Sequence, residues 1–573
     1  MKFQKLAKYF QKLESTGSRN EMTVILARLL REAKTEEVDK IGYLSLGRLG
    51  PKFATVEFNL AEKMMVKVLA TAYQKTEEAV RKQYKKIGDL GEVAEFLDTR
   101  RRSEPMEVRE VYERLYEIAS EAGEGSVERK IEKMAKLLDD LSAQSAKYVV
   151  RIPLGKLRLG FSDMTILDAL SWMISGDKSK RGKIEAAYNI RADVGQIARL
   201  AKRKGLKGLK NLKVSLGTPI VPALCQRLPT AEEMIEKMAP RPARGKVAVE
   251  PKYDGTRLQI HYQEKKTAIF TRNLENVVHM FPDIVEALPK EVKAKEFVLD
   301  GEAIGVDPKT GKFLPFQETI KRKRKYQIKQ MVKEIPLKLF CFDILYKDGR
   351  DLLRTPFKER RKILEKVLSS RNKTILISPQ IVTEDPEVIR QYHDEQIKKG
   401  LEGAVLKKWE AAYDPGKRGY TWVKFKSEKG KKGGGLTDTL DCVVMGYYRG
   451  RGKRAQFGIG AFLVGIKKDE NFLTVSKIGT GLSDEQWREM YQRCEKVKTG
   501  EKPQPYQVDK NLEPDVWCSP SILVEVEADN ITQSPIHTVS YALRFPRLVR
   551  FRDDKSADQA TTIEEVEKLY NLQ

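Results

Sequence analysis

Val249-Glu250-Pro251-Lys252-Tyr253-Asp254-Gly255-Thr256-Arg257 is the stretch on which the rest of the chain turns. A single lysine sits between acids at 250 and 254, with Gly255 and Arg257 behind it. The preceding Lys246–Glu250 alternates as a strand. Gly255 lets the backbone turn closely round a bound group. Lysine attacks phosphorus or carbonyl centres only when unprotonated, so a neighbouring cation, loss of water or a metal must lower its pKa. Pro-Lys-Tyr-Asp-Gly is also a good surface-turn sequence, and taken alone the stretch does not separate the two readings.

Downstream, the pattern changes from apolar residues alternating in strands to helical spacing and back. Strands are predicted at 246–250, 257–262, 267–271, 297–299 and 337–342, and helices at 231–238, 315–333, 357–369 and 385–397. In Glu296-Phe-Val-Leu-Asp300-Gly-Glu302 a strand ends in two acids on one face. Paired carboxylates there call for a cation, and Mg2+ bridged to a nucleotide phosphate fits. Leu339-Phe-Cys-Phe342-Asp343 reads as a core strand, and Glu402 in Gly400-Leu-Glu402-Gly403 as an acid at a turn. In Tyr413-Asp-Pro-Gly-Lys-Arg418-Gly-Tyr-Thr-Trp422-Val-Lys424-Phe-Lys426 both final lysines share a strand face.

In this order, these stretches resemble motifs I, III, IIIa, IV and V of the covalent nucleotidyltransferases, the superfamily of DNA ligases, RNA ligases and capping enzymes. The whole length resembles the archaeal ATP-dependent DNA ligases. The resemblance implies Lys252 as the nucleophile that takes AMP from ATP. It implies nucleotide contacts from Glu250, Arg257, Arg272, Arg418, Lys424 and Lys426. Glu302 becomes a ribose or metal contact, Glu402 a second metal-binding carboxylate, and Phe342 a ring that stacks on adenine. The metal implied is Mg2+, with Mn2+ as the alternative. A Lys252 beside Lys424, Lys426, Arg257 and a metal is expected to have a depressed pKa.

Residues 1–215 carry helical spacing almost throughout, with runs at 59–73, 77–87, 106–122, 126–146, 162–175, 181–190 and 193–203. Basic, glycine-bearing segments interrupt them, above all Gly155-Lys156-Leu-Arg158-Leu-Gly160. Cationic side chains and free backbone N–H groups suit phosphate contacts without base reading; solvated helix faces are the alternative. The region resembles the DNA-binding domain of archaeal and eukaryotic replicative ligases, most clearly at Gly47-Arg-Leu-Gly-Pro51 and Gly155–Gly160. Relatives dock on the sliding clamp through a loop with paired aromatics. The matching stretch here, 98–106, has no such pair.

Ser427–Gly435 is basic, Gly-rich and flexible by composition. Beyond it, strands at 438–447, 458–466, 471–478 and 521–528 suggest an OB-type barrel, closed by a helix at 562–570 that packs on it. Asp438–Asp441 resembles motif Va. Leu543-Arg544-Phe-Pro-Arg547 through Lys555 resembles motif VI, which implies that Arg544, Arg547 and Lys555 reach the nucleotide.

The reading is therefore of three domains: 1–215 all-α and DNA-binding, 216–430 α+β and adenylating, and 431–573 an all-β OB-fold. The 573 residues suit three or four domains. A net charge of +26 favours a polyanionic partner. No stretch approaches about 18 uncharged apolar residues, so no membrane span is expected, and no signal peptide. Five scattered cysteines and four histidines suit neither a disulfide framework nor a zinc knuckle. The resemblance implies a monomeric cytoplasmic enzyme at the nucleoid of an archaeal cell. It would seal nicks in duplex DNA during replication, repair and recombination. An RNA ligase or capping enzyme would lack the helical region, and a non-catalytic DNA scaffold would not need the motif residues.

Overall fold

Apolar spacing of three and four residues carries the N-terminal region into helices. Among the described residues, twelve α-helices lie between Phe3 and Lys204, and they share one core built from side chains such as Phe3, Phe10, Leu26, Leu69 and Leu167. Ser18, Thr76, Asp89, Ser142 and Asp193 each cap a helix by accepting a backbone N–H. Ser142 explains one departure from expectation. The run predicted over 126–146 is two helices, Ser126–Asp139 and Ala143–Arg151, and Ser142 starts the second. Helices Val38–Ser45 and Leu90–Leu97 were not anticipated.

The structure is a computed structural model describing residues 1–54, 56–99, 106–228, 230–239, 245–264, 266–322, 328–425, 439–450 and 452–571. The clamp-type loop is thus described only in part. Lys426, Asp438 and the Gly-rich 427–435 lie outside the described residues.

A buried guanidinium organises the helices around the Gly155–Gly160 loop. Arg151 reaches Glu14 at 2.7 Å, Asp89 at 3.1 Å and Glu92 at 3.2 Å, on two other helices. Asp89 also takes Arg158 of the loop at 3.1 Å. Gly91 makes the crossing possible: a Cβ there would lie 2.5 Å from the Lys147 carbonyl oxygen.

The chain separates into two compact units: Met1–Gln226, Met234–Tyr392 and Lys398–Lys424 form one, and Arg227–Glu233, His393–Ile397 and Phe425–Gln573 the other. After the helices, the first unit continues as strands β1 (Leu224–Arg227), β2 (Val247–Pro251), β3 (Thr256–Gln263), β4 (Lys266–Thr271), β5 (Glu296–Gly305), β6 (Leu337–Lys347), β7 (Arg350–Asp351), β8 (Ile375–Ile377), β9 (Ile381–Thr383), β10 (Ala404–Lys408) and β11 (Arg418–Phe425). They form two sheets, ordered β1-β11-β10-β2-β9 and β4-β3-β5-β6-β7, with β8 beside β6. The second sheet buries Leu258, Ile260, Leu299, Leu339 and Ile344 against helices Pro282–Glu291 and Phe357–Val367.

The C-terminal unit contains β12 (Leu440–Arg449), β13 (Ile459–Lys468), β14 (Asn471–Ile478), β15 (Lys498–Thr499), β16 (Tyr506–Gln507), β17 (Val516–Cys518), β18 (Leu523–Glu527), β19 (Asn530–Gln533), β20 (Tyr541–Arg544) and β21 (Arg547–Phe551). Eight of these join one sheet and β19–β20 pair separately. Helix Asp484–Lys496, started by a Ser483/Gln486 capping box, covers the core with Trp487 and Met490. The closing helix Ile563–Asn571 packs as expected, with Val566 buried and Tyr570 5.0 Å from Tyr541.

A strap of residues 213–221 ties the helices to the sheets within the first unit. Val221 N–H donates to the Asn189 carbonyl at 2.8 Å, and Val214 N–H to Asp351 at 2.9 Å. Gln259 pairs with both backbone groups of Ile220, at 2.8 and 3.1 Å. His261 Nδ1 accepts the Gly217 N–H at 3.3 Å while Nε2 faces Gln259 Oε1 at 2.9 Å. The ring is therefore neutral, and burial pushes its pKa down to about 3.

Between the ordinary value of 6.5 and about 3 the unfolded chain binds the extra proton. Stability contributed by His261 is thus complete above pH 6.5 and is lost as pH falls. Denaturant titrations should show a slope approaching about 1.4 kcal/mol per pH unit from this group below pH 6. His261→Asn, which keeps an acceptor for Gly217, should flatten it. An unchanged slope would place the acid sensitivity elsewhere.

Candidate active site

Two backbone hydrogen bonds fix the lysine. β2 and β10 pair antiparallel up to Pro251 and Ala404. One step beyond, Lys252 N–H donates to the Gly403 carbonyl at 2.8 Å, and Glu402 N–H to the Lys252 carbonyl at 3.0 Å. The side chains of Lys252 and Glu402 emerge together, and Nζ is ion-paired to Glu402 Oε2. An acid, not one of the expected cations, touches the lysine.

Gly255 then brings β3 hard against β5. A Cβ at this position would lie 2.4 Å from the Ala303 carbonyl oxygen and 3.0 Å from Glu302 Cγ. The β3–β5 register sets Arg257 opposite Glu302 and Gln259 opposite Asp300, so Asp300 and Glu302 do share a face. They differ in their partners. Asp300 is fully buried and gripped by Arg257 through two hydrogen bonds of 3.0 and 2.7 Å, and it accepts from the Tyr413 hydroxyl at 2.9 Å. The cation that answers Asp300 is a guanidinium, which corrects the reading of the two acids as a joint metal pair. Glu302 keeps its proton more tightly. Burial pushes it up to about 8, Asp300 and Glu402 add to the effect, and Lys252 and Arg257 oppose it.

Behind these groups lies an aromatic floor. Phe342 on β6 and Trp422 on β11 meet edge to face at 5.8 Å. Lys407 on β10 runs beneath them, with Nζ 2.8 Å from Glu250 Oε2. Burial raises the Glu250 pKa, and the charges of Lys407 and Arg361 oppose that rise. Arg360 clasps Asp343 at 2.7 and 2.9 Å and so locks the strand carrying Phe342 to helix Phe357–Val367. Lys424 is half-buried on β11, on the strand face that also carries Arg418 and Trp422; Arg418 is exposed. Burial raises the Cys225 thiol, and the charges of Arg257, Lys252, Lys407 and Lys424 oppose that rise.

The remaining candidates lie on other elements. Arg272 is exposed in the turn after β4. Arg544, Arg547 and Lys555 belong to the C-terminal unit. There Arg547 lies 3.6 Å from Asp529. Lys555 donates to Asp441 at 2.7 Å beside Arg552, so the motif Va acid neutralises the end of motif VI. Among the described residues, no cluster of three or more His, Cys, Asp or Glu side chains could hold a metal.

The chain matches three families along its length: "DNA ligase N terminus" over residues 2–171, "ATP dependent DNA ligase domain" over 222–426 and "ATP dependent DNA ligase C terminal region" over 455–555. It is 44% identical to a probable DNA ligase of Dictyoglomus turgidum, covering 100% of this chain and 98% of the relative. It is 38% identical to the DNA ligase of Saccharolobus solfataricus, again over 100% of this chain and 98% of the relative. The chain belongs to the ATP-dependent DNA ligases. Among solved structures, Pmar-Lig_Pre superposes with a TM-score of 0.55 over 96% of this chain and 99% of that one, at 17% identity, a likeness of fold alone.

Sequence reasoning missed two residues of this ligase site. Lys407 lies within β10, five residues after Glu402, and its position among apolar strand residues was the available signal. Tyr413, quoted only as part of a motif, carries Asp300 and also accepts the Ala223 N–H at 3.0 Å.

Gly255 yields a direct test. Gly255→Ala must displace Glu302 from its place beside Lys252. Formation of the labelled enzyme–AMP adduct from α-labelled ATP should fall by about 10²-fold, the scale of a 1 Å misplacement. An adduct formed at the wild-type rate would show that the close approach of β3 and β5 is dispensable.

Proposed function

We propose that this ligase seals nicks in duplex DNA with Lys252 as its nucleophile. The observation that carries the assignment is the backbone pinning of Lys252 beside Glu402 and Glu302. Nζ must lose a proton before it attacks, and Glu402 is the acceptor already in contact. Nζ then bonds to the α-phosphorus of ATP, and the bond to pyrophosphate breaks. The 5′-phosphate at the nick next attacks the AMP phosphorus, and the phosphorus–nitrogen bond returns its electrons to Lys252. Finally the 3′-hydroxyl attacks the activated 5′-phosphate and AMP leaves.

Within this reading Phe342 stacks on the adenine. Glu250, Arg257, Lys424, Lys426 and Arg418 serve the nucleotide, and Arg272, Arg544, Arg547 and Lys555 serve its phosphates or the nick. The donor set suits a divalent cation, because Glu302 and Glu402 bring two hard carboxylate groups to one place beside Lys252. Glu302 and Glu402 would hold Mg2+, or Mn2+, together with the nucleotide phosphates, and the ion would neutralise charge on the transferring phosphoryl group. Two protein carboxylates plus substrate oxygens is an ordinary complement for Mg2+.

The domains are taken as 1–215, 216–430 and 431–573. The last is assigned as an OB-fold on its run of short strands with Gly-rich joints, and the first as the DNA-binding domain. There the Gly47–Pro51 and Gly155–Gly160 loops meet around an open cavity of about 590 Å3. Gly47, Gly155 and Gly160 all have positive φ; the N–H groups of Gly47 and Gly155 already donate to the Leu44 and Ile152 carbonyls at 2.9 and 3.0 Å, so phosphate contacts here would fall to cationic side chains. Among the described residues no helix is long and apolar enough to cross a membrane. A monomer acting on nucleoid DNA in the cytoplasm, in replication, repair and recombination, fits this reading.

The test is sealing of a 5′-labelled nicked duplex in ATP and Mg2+. Sealed DNA should appear, with nicked RNA a far poorer substrate. Lys424→Ala should slow sealing by roughly 10²-fold, the scale for removing one charge-stabilising donor. Equal use of RNA ends would overturn the DNA assignment, and unchanged sealing would remove Lys424 from the chemistry.

A further inference from the structure

Of residues 272–275, the turn that follows β4, only Leu274 is buried. It belongs to the hydrophobic core of the helices, whose other buried members among the described residues all come from residues 3–209. The same junction is made a second time close by. Phe270 on β4 lies 5.8 Å from Phe53 of the helical region and 5.0 Å from His261, edge to face in both cases. Rings that meet edge to face interlock in a defined geometry. The end of β4 is thus fastened to the helices at two points.

The backbone of Leu274 is held against its own preference. Its φ is +66°, a conformation that a bulky residue keeps only where its surroundings impose it. Glycine would take that φ with no steric cost, so closing the turn does not by itself account for a leucine; the side chain is there for the helical core. The turn is also bonded to itself. Leu274 N–H donates to the Thr271 carbonyl at 2.9 Å and Thr271 N–H to the Glu275 carbonyl at 3.0 Å. Thr271 Oγ1 accepts from the N–H groups of Asn273 and Glu275, each at 3.3 Å. A turn bonded this closely moves as one piece, so what holds Leu274 also holds Arg272, exposed two residues before it.

We propose that Leu274 is a positioning residue for the DNA steps of ligation: by anchoring the turn in the helical core, it sets Arg272 at a fixed place relative to the helices that grip the duplex. The inference rests on the reading that Arg272 meets a phosphate at the nick and that the helices bind DNA. An arginine on a free loop has to be ordered each time DNA binds, at a cost in conformational entropy. An anchored turn is ordered once, when the protein folds. The guanidinium then stands in place as soon as the helices settle on the DNA backbone. Without the anchor it drifts, and a contact that stabilises charge on a reacting phosphate is sensitive to displacements of about 1 Å. Loading of AMP onto Lys252 uses no DNA and does not draw on this anchor.

The experiment separates loading from transfer. Incubation with α-labelled ATP and Mg2+ without DNA gives the loading rate. The loaded enzyme, freed of ATP, is then mixed with excess nicked duplex, and loss of label from the protein is followed through a single turnover. Leu274→Gly, in which glycine accepts the φ of the turn, should load AMP at the wild-type rate and transfer it about tenfold more slowly, within the scale of a small misplacement. Leu274→Met, which keeps an apolar anchor, should retain most of the transfer rate. Added to Arg272→Ala, the Leu274→Gly change should slow transfer little further, because residues that act through one another are not additive. Losses that multiply in the double variant, transfer at the wild-type rate in Leu274→Gly, or loading and transfer that fall together would each overturn the proposal. Where Leu274→Gly does not fold, Leu274→Ala is a smaller cut read in the same cycle. The two failures separate cleanly. An Arg272→Ala variant that transfers AMP at the wild-type rate removes the reading of Arg272 itself, whereas a slow one with multiplied losses removes only the role of Leu274.

Discussion

The cleft depends on the antiparallel pairing of β2 with β10 and its continuation by one step through Lys252 and Gly403. Side chains are floppy and lysine has the longest aliphatic stem, so a nucleophilic lysine needs its backbone held. Here the backbone of Lys252 is fastened on both sides of its peptide, and the same two bonds deliver Glu402. A register slip of one residue would send both side chains to the opposite face of the sheet. Gly255 adds the second constraint by letting β3 close on β5, which brings Glu302 to the same place.

Charge is managed by separating structural pairs from chemical ones. Arg257 with Asp300 and Arg360 with Asp343 are two-point clasps whose acids are buried and satisfied. Such pairs add little net stability, but removing one partner leaves a stranded charge. They fix β3 to β5 and β6 to the helix that supports it. Lys252, Glu302 and Glu402 are different, being only partly buried, with two carboxyl groups set beside one ammonium. A polyanionic nucleotide with its cation answers that imbalance. Glu250 and Lys407 fall between the classes, satisfied at one oxygen and open at the other.

The motifs made the central region legible because strand alternation and turn chemistry are local. Residues 246–250, 257–262 and 267–271 read as strands and are strands, and the lysine fell where the turn signals placed it. What stayed hidden was long-range. Nothing near Asp300 in sequence says that a guanidinium 43 residues away will claim it, so the two acids looked like one metal site. Lys407 looked like the end of a strand because its partners, Glu250 and Phe342, lie 157 and 65 residues away. In the C-terminal unit the run 544–555 was read through its resemblance to motif VI; local sequence did not show that Arg547–Phe551 would form β21 or that Asp441 would hold Lys555 and Arg552. Helix Asp484–Lys496 was not among the predicted elements, although Ser483 and Gln486 are spaced as a capping box.

The account stands on Lys252 as the residue that carries the nucleotide. The most direct test is to incubate the protein with ATP and Mg2+ in the absence of DNA, digest it under conditions that preserve the phosphoramidate, and map the AMP by tandem mass spectrometry. The account predicts a single modified peptide, with AMP on Nζ of Lys252. AMP on another lysine, or none on protein shown to be free of bound AMP at the outset, would contradict it.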